Sequence, residues 1–170
     1  SANHPWLSVR RRPRVAVLAT GDELARPGEP LQPAGIVASA NVAVAAYVRA
    51  FGGAPLDLGI ARDTLDDLRQ ALTAAAGADL LVTIGGVSVG DHDLVARALG
   101  SEDFTLAFHK VAMRPGKPLL RGRLGPLPVI GLPGNPVSAC VTMLLFVRPA
   151  IERLLGLEAA PPPRLPARLT

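Results

Sequence analysis

The apolar residues of this chain fall into two spacings. Residues 15–19 and 80–84 are nearly unbroken apolar runs, the pattern of strands covered on both faces, and 56–60 reads as a third strand. Between them the apolar positions recur at helical intervals: Val44, Tyr47, Val48 and Phe51 behind Ser39 as the expected N-cap, and Leu65, Leu68, Leu72 and Ala75 behind Asp63 and Thr64. A third set, Leu94, Val95, Ala98 and Leu99, follows Asp91 as its cap. Glycines close each helix, at Gly52-Gly53, Gly77 and Gly100. The order βαβαβα predicts a parallel sheet with helices on both faces, joined by right-handed crossovers.

The second half is more irregular. Residues 105–111 read as a strand, and 119–123 and 127–132 as two short strands around Gly125-Pro126, a hairpin-like turn. Between them Met113-Arg114-Pro115-Gly116-Lys117-Pro118 is a stiffened loop. In Pro133-Gly134-Asn135-Pro136, Asn135 is a good N-cap and Pro136 suits the first helical position, where its missing N–H costs nothing. The helix that follows, 137–147, is apolar nearly all round, which predicts deep burial or half burial against a partner; Pro149 kinks or restarts it. Residues 26–33 are Pro/Gly-rich loop. Residues 1–13 lack periodicity and read as a tag remnant or linker, 14–157 as one domain, and 158–170, with Pro161-Pro162-Pro163, as a linker into a truncated following domain.

Composition narrows the class. At 170 residues and 49% hydrophobic, the chain can bury a substantial core, yet no apolar run is long enough to span a bilayer. A single cysteine, Cys140, and no secretory signal give a reducing cytoplasm as the expected compartment. The net charge of +4 is almost all arginine, since Lys110 and Lys117 are the two lysines among 18 basic residues. The densest basic run, Arg10-Arg11-Arg12-Pro13-Arg14, has no interleaved aromatic residues, so nucleic acid is not an expected partner.

Candidate chemistry sits where strands end in glycine turns. Gly85-Gly86-Val87-Ser88-Val89-Gly90 connects the strand at 80–84 to the helix capped by Asp91, and amide groups at such a helix start make an anion site. Asp91 stands where a nucleotide hydrolase would need lysine, and the glycine spacing is wrong for a dinucleotide fold. Thr20-Gly21-Asp22-Glu23 puts two carboxylates at the carboxyl end of the first strand, the edge at which open α/β sheets bind ligands. Lys110, Arg114 and Lys117 either converge on one anion or stand as three solvated charges; the residues alone leave both readings open.

Four motifs occur in order: Thr20-Gly-Asp-Glu-Leu24, Gly85-Gly-Val-Ser-Val-Gly90, Lys110-Val-Ala-Met-Arg-Pro-Gly-Lys-Pro118 and Leu132-Pro-Gly-Asn-Pro-Val-Ser138. With their spacing, over about residues 8–157, the chain resembles the molybdopterin molybdenumtransferase family, specifically its central molybdopterin-binding domain. The resemblance implies a three-layer α/β/α domain with a mostly parallel central sheet. It implies magnesium-dependent insertion of molybdate into adenylated molybdopterin with release of AMP, in a homo-oligomer. Carried over by motif, Asp93, Lys110, Arg114 and Lys117 become the catalytic candidates, with Asp22 and Asp93 as metal candidates. Thr20, Gly21, Asp22, Glu23, Gly85, Gly86, Val87, Ser88, Gly90, Asp91, Pro133, Gly134, Asn135, Pro136 and Ser138 become substrate-binding candidates. Arg114 stands where lysine is commoner in the family. A non-catalytic binding or scaffolding module, and a molybdopterin adenylyltransferase on a similar fold, are the other readings.

One motif departs from the family. Where an Asp-Ser-Asn or Asp-Thr-Asn triplet usually opens the first helix, this chain has Val37-Ala38-Ser39-Ala40-Asn41. Ungapped, the triplet falls on Ala38-Ser39-Ala40; a one-residue slip recovers an asparagine at Asn41, and neither alignment supplies the aspartate. Loss of that carboxylate is expected to weaken metal insertion and to spare nucleotide capture, with Ala38→Asp plus Ala40→Asn raising the rate.

Overall fold

The computed structural model describes residues 3–86 and 104–158. The helix expected behind Asp91, and with it Val87, Ser88, Gly90, Asp91 and Asp93, lie outside the described residues.

The apolar runs become the sheet. Strands β1 (Arg14–Thr20), β4 (Ala54–Ala61), β5 (Leu80–Ile84), β6 (Phe104–His109), β7 (Leu120–Leu124) and β8 (Leu127–Leu132) form six strands in the order β4-β1-β5-β8-β7-β6. β4, β1, β5 and β8 are mutually parallel, and β7 runs antiparallel to both of its neighbours. The predicted hairpin is present: Leu124 pairs with Leu127 across Gly125-Pro126.

Helices cover both faces because β1 and β5 are apolar on both. Val15, Val17, Leu80, Val82 and Ile84 point into a core shared with Val44 and Val48 of α1 (Ser39–Ala50). Ala16, Leu18 and Leu81 point the other way, into a core shared with Leu68 of α2 (Leu65–Ala74). The first core is closed by Ala139, Met143, Val147 and Ile151 from the C-terminal helical segment. Three layers result, helix, mostly parallel sheet and helix, as the resemblance implied.

Local details depart from the sequence reading at three places. Ser39 is the first residue of α1 rather than its cap; the cap position belongs to Ala38, which offers no side-chain hydrogen bond. The cause lies in a two-stranded parallel pair, β2 (Leu24–Ala25) and β3 (Ile36–Val37), which flanks the stretch 26–33 read as loop. The Ala38 N–H continues that pair by donating to the Ala25 carbonyl, which brings the chain into the helix one residue early.

The C-terminal helix restarts around Pro149, as expected, but by way of a π turn that the sequence did not announce. α3 (Pro136–Thr142) passes into a five-residue π stretch, Met143–Val147, and then α4 (Arg148–Leu154). Pro149 has no N–H for the turn before it, and the wider π turn accommodates that gap. The segment buries one face, while Val137, Leu144 and Leu145 are exposed in the single chain. The Asn135 cap stands as expected, its Oδ1 accepting from the Val137 and Ser138 N–H groups.

Candidate functional site

Four of the parallel strands end at the same edge of the sheet. Thr20 closes β1, Ala61 closes β4, Gly85-Gly86 follow β5 and Pro133 follows β8. β4 and β5 flank β1, so the chain departs from β1 to one side and returns on the other, the switch point where such sheets leave a crevice. A cavity of about 650 Å³ occupies it, lined by Thr20, Glu23, Asp63, Gly85, Pro133 and the first turn of α1, among others.

Gly85 makes the arrangement possible. It has φ +84°, and a Cβ there would stand 2.7 Å from the Thr20 carbonyl oxygen. Its N–H donates to the Leu132 carbonyl at 3.1 Å, which ties the β5 turn to the end of β8. Gly134 in turn packs on Gly85, 3.5 Å from where its own Cβ would be to the Gly85 Cα. Three predicted motifs therefore meet at one point: the Thr20 turn, the start of the glycine loop and the Pro-Gly-Asn-Pro turn.

The carboxylates gather on the β1 and β4 side. Asp22 and Glu23 are exposed, and Asp22 Oδ1 accepts from the Asp63 N–H at 3.1 Å. Partial burial, then the charges of Asp22 and Glu23, raise the Asp63 carboxyl above its ordinary range. Asp63 was read from the sequence as part of a helix start, and that role passes to Thr64, whose hydroxyl caps α2 by accepting from the Asp67 N–H. The missed signal was its position at the carboxyl end of the fourth strand, beside the Thr-Gly-Asp-Glu turn only after folding.

The loop holding both lysines reaches the cavity through Pro118, whereas Lys110, Arg114 and Lys117 are exposed and do not line it. Its form is set by backbone bonds from the Lys110 N–H to the Leu119 carbonyl and from the Val111 N–H to the Lys117 carbonyl. Lys110 is held at φ +76°, a region that non-glycine residues seldom occupy. Gly116 is buried where a Cβ would come within 2.7 Å of the Thr142 methyl, which seats the loop against α3. Ser138 is half-buried in α3 and also outside the lining.

The departure at residues 38–41 resolves in three dimensions. Ala38 and Ala40 are buried, and Ala40 belongs to the core cluster under β1 and β5. Asn41 lines the cavity with its Oδ1 buried and unpartnered, as is the Oγ1 of Thr20, another lining residue, on β1. The asparagine that a one-residue slip recovers, Asn41, is thus a lining residue of the cavity.

Residues 16–153 match the family described as a "Probable molybdopterin binding domain". The chain belongs to that family. It is 45% identical over 157 residues to a protein of Nostoc sp. named molybdopterin molybdenumtransferase, covering 90% of this chain and 36% of that protein. It is 43% identical over 170 residues to molybdopterin molybdenumtransferase 2 of Mycobacterium tuberculosis, covering 96% of this chain and 42% of that one. Among solved structures, a molybdopterin biosynthesis moea protein from Pyrococcus horikosii superposes with a TM-score of 0.76 at 34% identity, over 85% of this chain and 36% of that chain. The chain thus spans well under half the length of these relatives.

Proposed function

We propose that this chain forms the central substrate-binding domain of a molybdopterin molybdenumtransferase, which inserts molybdate into adenylated molybdopterin and releases AMP. The observation that carries the reading is the convergence of three family motifs on one cavity at the carboxyl edge of the sheet, in a chain of that family.

The chemistry suits the residues. Both molybdate and the adenylate phosphate are tetrahedral oxyanions that need amide donors and fixed cations. The turn at Gly85-Gly86 would bring backbone close to such a group, and Lys110, Arg114 and Lys117 would supply charge from the rim. The dithiolene sulfurs belong to the substrate, so no protein nucleophile is needed and the protein's part is positioning and charge stabilisation.

Magnesium fits the carboxylate side. Asp22, Glu23 and Asp63 offer hard oxygen donors, and Asp63 is raised by partial burial and then by the charges of Asp22 and Glu23, a repulsion that a cation would relieve. Among the described residues no three such side chains form a complete cage. That agrees with an ion held by one or two carboxylates, water and substrate phosphate. When bound, it would neutralise phosphate charge; Asp22 meanwhile fixes the Asp63 backbone, keeping both carboxylates on one side of the cavity.

The test is release of AMP from adenylated molybdopterin by the full-length protein, with and without molybdate and with and without ATP. The expected result is molybdate-dependent AMP release with no ATP consumed, lost in Asp63→Asn. Consumption of ATP would assign the adenylyltransferase reaction instead, and tight binding without release would leave a binding module.

A further inference from the structure

On the side of the first core the sheet outruns its helices. α1 and the C-terminal helical segment pack over β1, β5 and β8, whereas the residues that β7 turns to this side, Arg121 and Arg123, are exposed while Leu120 and Gly122 on its other face are buried. At the step between helix and sheet lies a groove of about 370 Å³, with Phe108, Leu119 and Ile130 on the sheet side and Leu145, Phe146 and Pro149 on the helical side. Register builds the sheet side: Phe108 of β6, Arg121 of β7 and Ile130 of β8 pair across the strands in one row, which sets all three on one face. The groove shares no lining residue with the cavity at the strand ends.

The charged residues of this lining are Arg121, from the sheet, and Arg153, from α4, and it includes no acid. Both arginines are exposed, and among the described residues neither side chain has an ion-pair or hydrogen-bond partner. Nearby Arg148 is the contrast, its Nε donating to Glu152 at 2.7 Å and its guanidinium lying over the Phe51 ring at 5.3 Å. An apolar groove between two uncommitted cations is complementary to an apolar group between two anions. Because the cations stand on different elements, a small carboxylate engages one of them, and a peptide with acids on both sides of a large apolar residue engages both. Aromatic and arginine side chains are also those on which interfaces concentrate binding energy, and two of the four phenylalanines of the chain line this groove.

We propose that the groove is a docking site for an acidic peptide segment of a partner protein, its large apolar side chain seated between Phe108 and Phe146 and its carboxylates on Arg121 and Arg153. The site stands whether or not the cavity at the strand ends takes molybdopterin.

The test is titration of the full-length protein with a fluorescent peptide in which one phenylalanine is flanked on each side by two glutamates, followed by fluorescence anisotropy. Saturable binding is expected, weakened several-fold when salt is raised from about 0.05 to about 0.3 M, since ion pairs at an exposed rim are screened. Alanine in place of the peptide's phenylalanine should weaken binding about tenfold, and lysines in place of its glutamates should abolish it. Arg121→Gln and Arg153→Gln, both at exposed positions, should each weaken it roughly three- to tenfold with the thermal midpoint unchanged.

Absence of saturable binding, equal binding of the alanine or lysine peptide, or an affinity that neither variant moves overturns the docking site. Binding to the 170-residue chain but not to the full-length protein overturns it as well, and assigns the groove to packing within the longer chain. An oligomer that fails to bind the peptide and dissociates in Leu145→Asp overturns it in favour of a second copy of the protein.

Discussion

The Cα of Gly85 lies so close to Thr20 that a Cβ would meet its carbonyl oxygen at 2.7 Å and its hydroxyl at 3.3 Å. Two strand ends far apart in sequence are in effect fused there, and the cavity floor depends on the contact. Gly85→Ala would add that clash to a φ of +84°. We expect a loss of about 2–3 kcal/mol, seen as a lower midpoint in urea unfolding, together with weaker AMP binding. A variant as stable as the original would show that the two turns separate freely.

Asp63 is the residue whose ionisation the fold opposes. Its carboxyl is raised, so the folded protein holds that proton to higher pH than the unfolded chain, and stability is lost as pH rises through the ordinary carboxylate range toward the raised value. Asp63→Asn removes the repulsion while keeping the N–H that donates to Asp22. Because the group is open to solvent, screening limits the gain to a few tenths of a kcal/mol at neutral pH. Thermal unfolding at pH 7 and at pH 4 should show the variant ahead at the higher pH, with the advantage shrinking at the lower.

Asp79 behaves in the opposite sense. Its carboxylate accepts two bonds from Arg11, both at 2.7 Å, and one from the Arg14 N–H, and these hold its carboxyl below the ordinary range. Its contribution is present above the unfolded value and is lost as pH falls through the lowered one. Asp79→Asn should therefore reduce stability at neutral pH, by no more than about 1 kcal/mol because the partner Arg11 is exposed, and the difference should vanish in acid. Equal stability of the two proteins at neutral pH would mean that the N-terminal segment gains nothing from this latch.

Restoring the family triplet at its ungapped position should fail. Ala40 is 6% exposed and packed in the core, so Ala40→Asn adds volume and an amide where neither is accommodated. The expected loss is about 2 kcal/mol, measurable by denaturant titration, with no gain in molybdate-dependent rate. A stable variant with a faster rate would reinstate the ungapped alignment.

Much of the fold was legible in the sequence because its strands are apolar on both faces. Val15 through Ala19 and Leu80 through Ile84 could only be central parallel strands, and the helical spacing of Val44, Val48 and Leu68 named the faces that cover them. Asn135 and Pro136 announced their helix by local chemistry alone. What the sequence left out was anything decided by contact across distance. Ser39 lost the cap to Ala38 through a two-residue strand pair too short to leave a periodic pattern. Asp63 joined Asp22, 41 positions away, and Asn41 came to line the same cavity as Thr20, because these residues share the carboxyl edge of one sheet. Strand ends are brought together by register and crossover, and those are properties of the assembled sheet, whereas the motifs themselves are properties of the chain.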